Sequence, residues 1–253
     1  MVSVLDAQVG RVVAALESRG MRQNTLILFS SDNGGATSGL FATGARSDSE
    51  RESSGGVARD QRPPASNGQL RGGKGSLHEG GIRVPTIVNW PSQLEPATVE
   101  APLHMVNVMP TLLTLAGASA SPEHPLDGRD MWATLANGSP SPNDEILLQV
   151  EAIRGAIRRG PWKLVKVATL PGRTELFHLV DDPGETTNLA DVHRDIAQDL
   201  EARLIDYARQ MRPAEWIRAQ PSFLGAQGET VFDPDFDIDD CGLPHEKAVL
   251  PQG

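Results

Sequence analysis

A short apolar run, Thr25-Leu26-Ile27-Leu28-Phe29-Ser30, stops almost directly on Asp32-Asn33-Gly34-Gly35, and no other feature narrows the fold as far. The run is too short to be a self-supporting helix and rich enough in β formers to be a buried strand, of the parallel kind that reads as continuous apolar sequence. Asp32 and Asn33 then sit at that strand's C-terminal end, the edge of an open α/β sheet where ligands bind. Before it, Leu5, Val9, Val12, Val13 and Leu16 recur at helical spacing, with Ser3 and Asp6 as a capping-box start and Gly20 placed to end the helix. Thr86 to Trp90 gives a second strand closed by Pro91. Val108 to Ala116 gives a helix with Asn107 as its cap and Pro110 tolerated in the first turn. Alternating strand and helix predicts α/β architecture over residues 1–118. Residues 36–69, dominated by Gly, Ser, Ala, Arg, Asp and Pro, are expected to form a long loop within it.

The texture changes after Gly117. Segments 145–150, 155–159, 162–167 and 174–180 read as strands separated by turns, the pattern of an antiparallel meander. Residues 191–211 carry Ile196, Leu200, Leu204 and Tyr207 on one helical stripe that would cover such a sheet. We expect residues 119–211 to form a small α+β subdomain and 212–253 an extended Pro- and Asp-rich tail. The alternating aspartates Asp233, Asp235, Asp237 and Asp239 do not make a calcium-binding EF-hand loop. Ile238 stands where such a loop needs Gly, and Pro244 where it needs Glu.

The net charge of −10 and pI near 5.1 argue against a nucleic-acid surface, which needs clustered Lys and Arg. The single cysteine, Cys241, excludes an internal disulfide and a cysteine-built zinc site. No stretch is long and apolar enough for a membrane span, and the N-terminus lacks the charge and hydropathy order of a signal peptide. As written, the chain is expected in the cytoplasm.

The chemistry concentrates in two motifs. The Asp32 carboxylate and Asn33 amide oxygen are hard ligands suited to Ca²⁺, with Mg²⁺ as the alternative. Asn33-Gly34 in isolation would read as a tight turn; its place after a strand and before the second motif favours the ligand role. That second motif is Leu70-Arg71-Gly72-Gly73-Lys74-Gly75-Ser76-Leu77-His78-Glu79-Gly80-Gly81-Ile82-Arg83-Val84-Pro85. Lys74, among glycines, can reach a tetrahedral oxyanion as a compact point charge. His78 can hydrogen-bond a sugar or pack, while Glu79 and Arg83 read as structural partners of nearby groups. His104, His124, His178, His193 and His245 lack metal-ligand spacing. Asp182-Pro183-Gly184-Glu185, with Asn188-Leu189, reads as turn and helix-start chemistry.

Four stretches, Thr25–Gly35, Leu70–Pro85, His104–Gly117 and Leu176–Leu189, resemble the sulfatases of the alkaline-phosphatase superfamily. Arg71 before Gly-Gly-Lys, and Leu126-Asp127-Gly128 followed by Gly138-Ser139-Pro140-Ser141-Pro142, resemble the arylsulfatase B, or N-acetylgalactosamine-4-sulfatase, branch. The resemblance implies an alkaline-phosphatase-like α/β domain in which Asp32 and Asn33 ligate Ca²⁺, and Lys74 binds sulfate and stabilises the leaving oxygen. It places His78 where relatives often carry an aromatic residue near the substrate. It also implies a formylglycine nucleophile made from a Cys/Ser-x-Pro-x-Arg motif, which this sequence does not contain: Cys241 precedes Gly242-Leu243-Pro244-His245. The first-half Asp-Asp metal pair is absent as well. The chain therefore resembles the C-terminal half of a sulfatase, expected to be inactive alone and to need an N-terminal half as partner. Expected substrates are carbohydrate or aryl sulfate esters. The rival readings are a phosphomonoester or phosphonate hydrolase of the same superfamily, and a catalytically inert remnant. Sulfatases are often exported or lysosomal.

Overall fold

A computed structural model describes residues 2–37, 65–121, 123, 125–150, 154–168 and 172–211. Most of the expected 36–69 loop, the tail with its aspartates, and Cys241 lie outside the described residues. The chain divides into Met1–Arg209 and Gln210–Gly253, and the elements below belong to the first unit, save the final residue of its last helix.

Helix α1 (Val2–Ser18) is followed by a 3-10 turn at Arg22–Asn24 and strand β1 (Ile27–Ser30). Gly20 ends α1 as expected, with φ of 67° and its N–H on the Glu17 carbonyl. The capping box does not form, because the helix already includes Ser3. Strand β2 (Thr86–Asn89) pairs with β1, and here the sequence reading fails: the pairing is antiparallel, with Phe29 opposite Ile87 and Leu28 opposite Val88. A continuous apolar run carries no strand direction, and the expected full burial is not found either, since no residue of β1 is fully buried. The direction is set by the return of the chain through the 70–85 motif, where Ser31 N–H donates to Pro85 O and the Ser30 and Thr86 hydroxyls meet at 2.8 Å. The two strands form a sheet of their own. On one face Leu28 and Val88 share a small void with Val108, Thr111 and Leu135 of α3 (Val108–Leu115) and α4 (Trp132–Asn137), α2 being the single turn Glu79–Ile82. On the other, Phe29 and Ile87 are 38% and 61% exposed.

Asn107 is not the side-chain cap of α3. It is fully buried: its Oδ1 accepts from His104 N–H and from Asn143 Nδ2, and its Nδ2 donates to Arg129 O. It thus closes a capping box with His104 around the preceding 3-10 turn, Met105–Asn107, and ties this turn to the chain after α4. Burial there also pushes the His104 imidazole below its usual pKa.

Strands β3 (Glu145–Val150), β4 (Arg154–Arg159), β5 (Trp162–Val167) and β6 (Arg173–His178) form an antiparallel meander in sequence order. Helix α5 (Arg194–Gln210) lays Ala197, Leu200 and Leu204 on Ile157, Leu164 and Leu176. Each fully buried leucine contributes ~1.5–3 kcal/mol by leaving water. The opposite face presents Ala156, Val165 and Phe177, and against it packs Leu77 of the Lys74 motif. Period-2 alternation therefore gives this sheet two covered faces: a helix on one, the candidate site's loop on the other.

Candidate functional site

The Asp32-Asn33-Gly34-Gly35 turn and the Gly72–Ile82 segment are joined backbone to backbone. Gly34 N–H donates to Gly81 O at 2.9 Å and Lys74 N–H to Gly35 O at 3.1 Å. Asn67 bridges the same two segments, accepting from Gly35 N–H and donating to Gly35 O and Gly72 O. Such proximity excludes side chains: a Cβ on Gly34 would lie 1.7 Å from Gly80 O. Lys74 itself sits in a turn whose next residue, Gly75, has φ of 87°, a value that favours glycine. The Gly75 carbonyl accepts from Arg154 Nη1 of β4 at 2.8 Å. Lys74 is exposed, and among the described residues its Nζ has no hydrogen-bond or ion-pair partner.

Asp32 is exposed and Asn33 half-buried. Asp32 Oδ1 accepts from Asn33 N–H at 2.9 Å, and Asn33 Nδ2 donates to Gly34 O at 2.9 Å. That donation leaves the amide oxygen, the harder end of the group, for a cation. Carboxylate plus amide oxygen fits Ca²⁺ or Mg²⁺ in donor type but falls short in number, since Ca²⁺ takes about six to eight oxygens. Among the described residues no group of three or more His, Cys, Asp or Glu completes the set.

His78, read from the sequence as able to hydrogen-bond a sugar or to pack, faces inward. It is 9% exposed, with Nε2 2.8 Å from Glu175 Oε2, Nδ1 3.0 Å from Ser76 Oγ, and its ring edge-on to Phe177. Both ring nitrogens are engaged within the chain. Burial pushes the Glu175 carboxyl up, but its bonds to His78 and to Arg71 Nη2 outweigh this and hold it below the usual carboxylate range.

Sequence reasoning missed the charges beneath the loop. Lys163 of β5 is fully buried, its Nζ 2.9 Å from Glu79 Oε1 and 2.8 Å from Glu185 Oε1. Glu185 Oε2 accepts from Glu79 N–H at 2.6 Å. The Asp182 carboxylate does the expected turn work, accepting from Thr186 and Thr187 N–H. Glu185, by contrast, points away from that turn, fully buried at φ of 52°. Lys163, alternating with Val165 on one face of the strand Trp162-Lys163-Leu164-Val165-Lys166-Val167, was the available signal, since a lysine on a covered face demands carboxylates.

Residues 1–118 match a protein-family model described as Sulfatase. The steryl-sulfatase of Mus musculus is 31% identical over 248 residues, covering 84% of this chain and 37% of the relative. An uncharacterized sulfatase of Schizosaccharomyces pombe is 32% identical over 259 residues, covering 92% of this chain and 46% of the relative. The crystal structure of Ps i-CgsB in complex with k-i-k-neocarrahexaose superposes with a TM-score of 0.66 at 27% identity, over 90% of this chain and 47% of that one. The chain thus spans less than half the length of each of these relatives.

Proposed function

We propose that this chain is the cation- and sulfate-facing portion of a sulfuric ester hydrolase of the sulfatase family, acting with an N-terminal portion that brings the nucleophile. One observation carries the reading. Lys74, exposed and free of partners among the described residues, rides on a loop bonded through Gly35 and Gly34 to the turn that bears Asp32 and Asn33. The match of residues 1–118 to the Sulfatase model supports it independently.

Lys74 would hold a sulfate oxygen and stabilise charge on the leaving oxygen by a fixed ammonium, a preorganised electrostatic contribution that water cannot match. Asp32 and Asn33 would supply two of the oxygens around a divalent cation. Bound there, the cation would act as a Lewis acid on a sulfate oxygen. None of these residues makes or breaks a bond to sulfur. A formylglycine on the partner portion would do so, and this sequence has no Cys/Ser-x-Pro-x-Arg motif to provide it. The open Phe29/Ile87 face and the two-stranded sheet around it support such a partner, because a two-stranded sheet is at best marginally stable alone. Sulfated carbohydrates are the favoured substrates, in line with the saccharide bound to Ps i-CgsB. Aryl sulfates are the practical probe.

The test joins this chain to an N-terminal sulfatase half and assays aryl sulfate and aryl phosphate side by side. Sulfate hydrolysis should dominate and fall at least about a hundredfold in Lys74→Ala. Phosphate hydrolysis far above sulfate hydrolysis would instead assign the site to phosphoryl transfer. Activity unchanged in Lys74→Ala would remove that residue from the mechanism.

A further inference from the structure

Lys74 is presented by a loop whose docking on the meander is made of buried charge. Three residues before it, Arg71 donates Nη1 to Glu185 O at 3.0 Å and Nη2 to Glu175 Oε1 at 3.1 Å. After it, His78 meets Glu175, and Glu79 is held twice, by Lys163 at its carboxylate and by Glu185 at its N–H. Side chains of Lys163 and Glu185 are 0% exposed and that of Glu79 is 4% exposed. All these partners of the loop lie in or just after β5 and β6. In register, Lys163 stands opposite Phe177, and Val165 opposite Glu175, on the face that Leu77 covers.

Apolar contacts alone would hold the loop against this face as tightly, since a buried ion cluster is often no more stabilising than the hydrophobic residues that replace it. What charge adds is a single register. Lys163 Nζ lies between two carboxylates from distant parts of the chain, and a slide of the loop by one residue would pull Glu79 away from Lys163 and from Glu185, stranding the Glu79 carboxylate in an apolar layer. Glu185 meets this geometry from a left-handed backbone conformation unusual for a residue with a side chain.

We propose that Lys163, Glu79 and Glu185 are positioning residues for Lys74: their buried cluster fixes the loop's register on the meander and thereby sets the anion affinity of the site. The inference rests on the reading of Lys74 as the sulfate contact. It gives the C-terminal sheet a defined part in substrate binding.

The experiment uses the 253-residue chain, hydrogen exchange of its amides, and titration with inorganic sulfate followed by the NMR shifts of Gly73 and Gly75. In Lys163→Met the amides of Ser76, Gly80 and Gly81 should exchange about tenfold faster or more, while those around Leu200 and Leu204 in α5 change little. Sulfate affinity should fall about tenfold with them. Glu185→Gln keeps shape and backbone and should give the same loop-restricted change, smaller in size. Unchanged exchange in residues 70–82 for both variants overturns the proposal. So does loss of protection throughout α5 in both, because the cluster would then hold the whole fold and not the loop. Lys74→Ala separates the two readings. It should abolish the sulfate response and leave loop exchange as in the wild type. A sulfate response that persists in Lys74→Ala while Lys163→Met still loosens the loop would sink the sulfate role of Lys74 and leave the clamp standing.

Discussion

Replacing Gly34 by alanine tests how closely the two halves of the candidate site are joined. An ideal Cβ there would sit 1.7 Å from Gly80 O, 2.7 Å from Gly80 C and 3.0 Å from Gly81 Cα. All three are backbone atoms and cannot rotate aside. Restoring ordinary contact, roughly 3.5 Å between heavy atoms, requires the segments to part by nearly 2 Å. That stretches the 2.9 Å bond from Gly34 N–H to Gly81 O beyond hydrogen-bonding range. Both residues are buried, so the orphaned pair costs about 1–3 kcal/mol and the overpacking a similar amount. The sum of ~2–6 kcal/mol corresponds to a fall in Tm of roughly 4–24 °C for a chain of this size. Urea unfolding followed by tryptophan fluorescence reads the change. Gly10→Ala is the control: inside α1 its new methyl would meet no neighbouring group within 4 Å, and it should stabilise by up to ~1 kcal/mol. A Gly34→Ala protein as stable as the wild type would refute the close approach and the argument built on it.

Three further outcomes are expected. Leu200→Ala, at a fully buried site between α5 and the meander, should destabilise by about 2–5 kcal/mol, and a loss under ~1 kcal/mol in calorimetry would contradict the packing. Glu145 accepts from Arg203 and from Tyr207 Oη, and the Arg203 contact, against opposing burial, holds its carboxyl below the ordinary 4.5. A depressed folded-state pKa adds stability that is present above that ordinary value and is lost as pH falls below it. Glu145→Gln should therefore flatten the acid limb of the stability profile, and superimposable limbs would count against this linkage. Ile87→Thr, on the exposed face, should change stability by no more than ~0.5 kcal/mol yet reduce self-association in sedimentation velocity; unchanged association would clear that face.

Periodicity and turn signals in the sequence were faithful, while the local cap signals at Ser3 and Asn107 were not. The stripe Ile196, Leu200, Leu204, Tyr207 is a helix face because 3.6-residue periodicity needs no partner to be read, and the helix found is Arg194–Gln210. The meander strands emerge within a residue or two of their expected bounds because each is closed by turn residues such as Gly160. Facts that depend on distant segments were not legible. The direction of β1 hangs on β2, which follows only after the whole 70–85 motif, and Asn107 serves Arg129 and Asn143 more than its own helix. The partner of His78, Glu175, lies 97 residues further along the chain. Lys163 is the strongest case: its burial is tolerable solely through Glu79 and Glu185, remote from it and from each other in sequence. At the candidate site the motif gave Asp32, Asn33 and Lys74 as positions, while the scaffold that holds Lys74 came from the meander.

The burial of Lys163 also makes the protein its own chemical gauge. An amine-acylating reagent reaches an ε-amino group only from solvent, so it would modify exposed Lys74 readily and partly exposed Lys166 more slowly. Lys163, sealed between two carboxylates, would stay unmodified until the loop lifted from the sheet. The acylation rate of one lysine, read by mass spectrometry of the peptide carrying it, thus counts how often that lid of charge comes open.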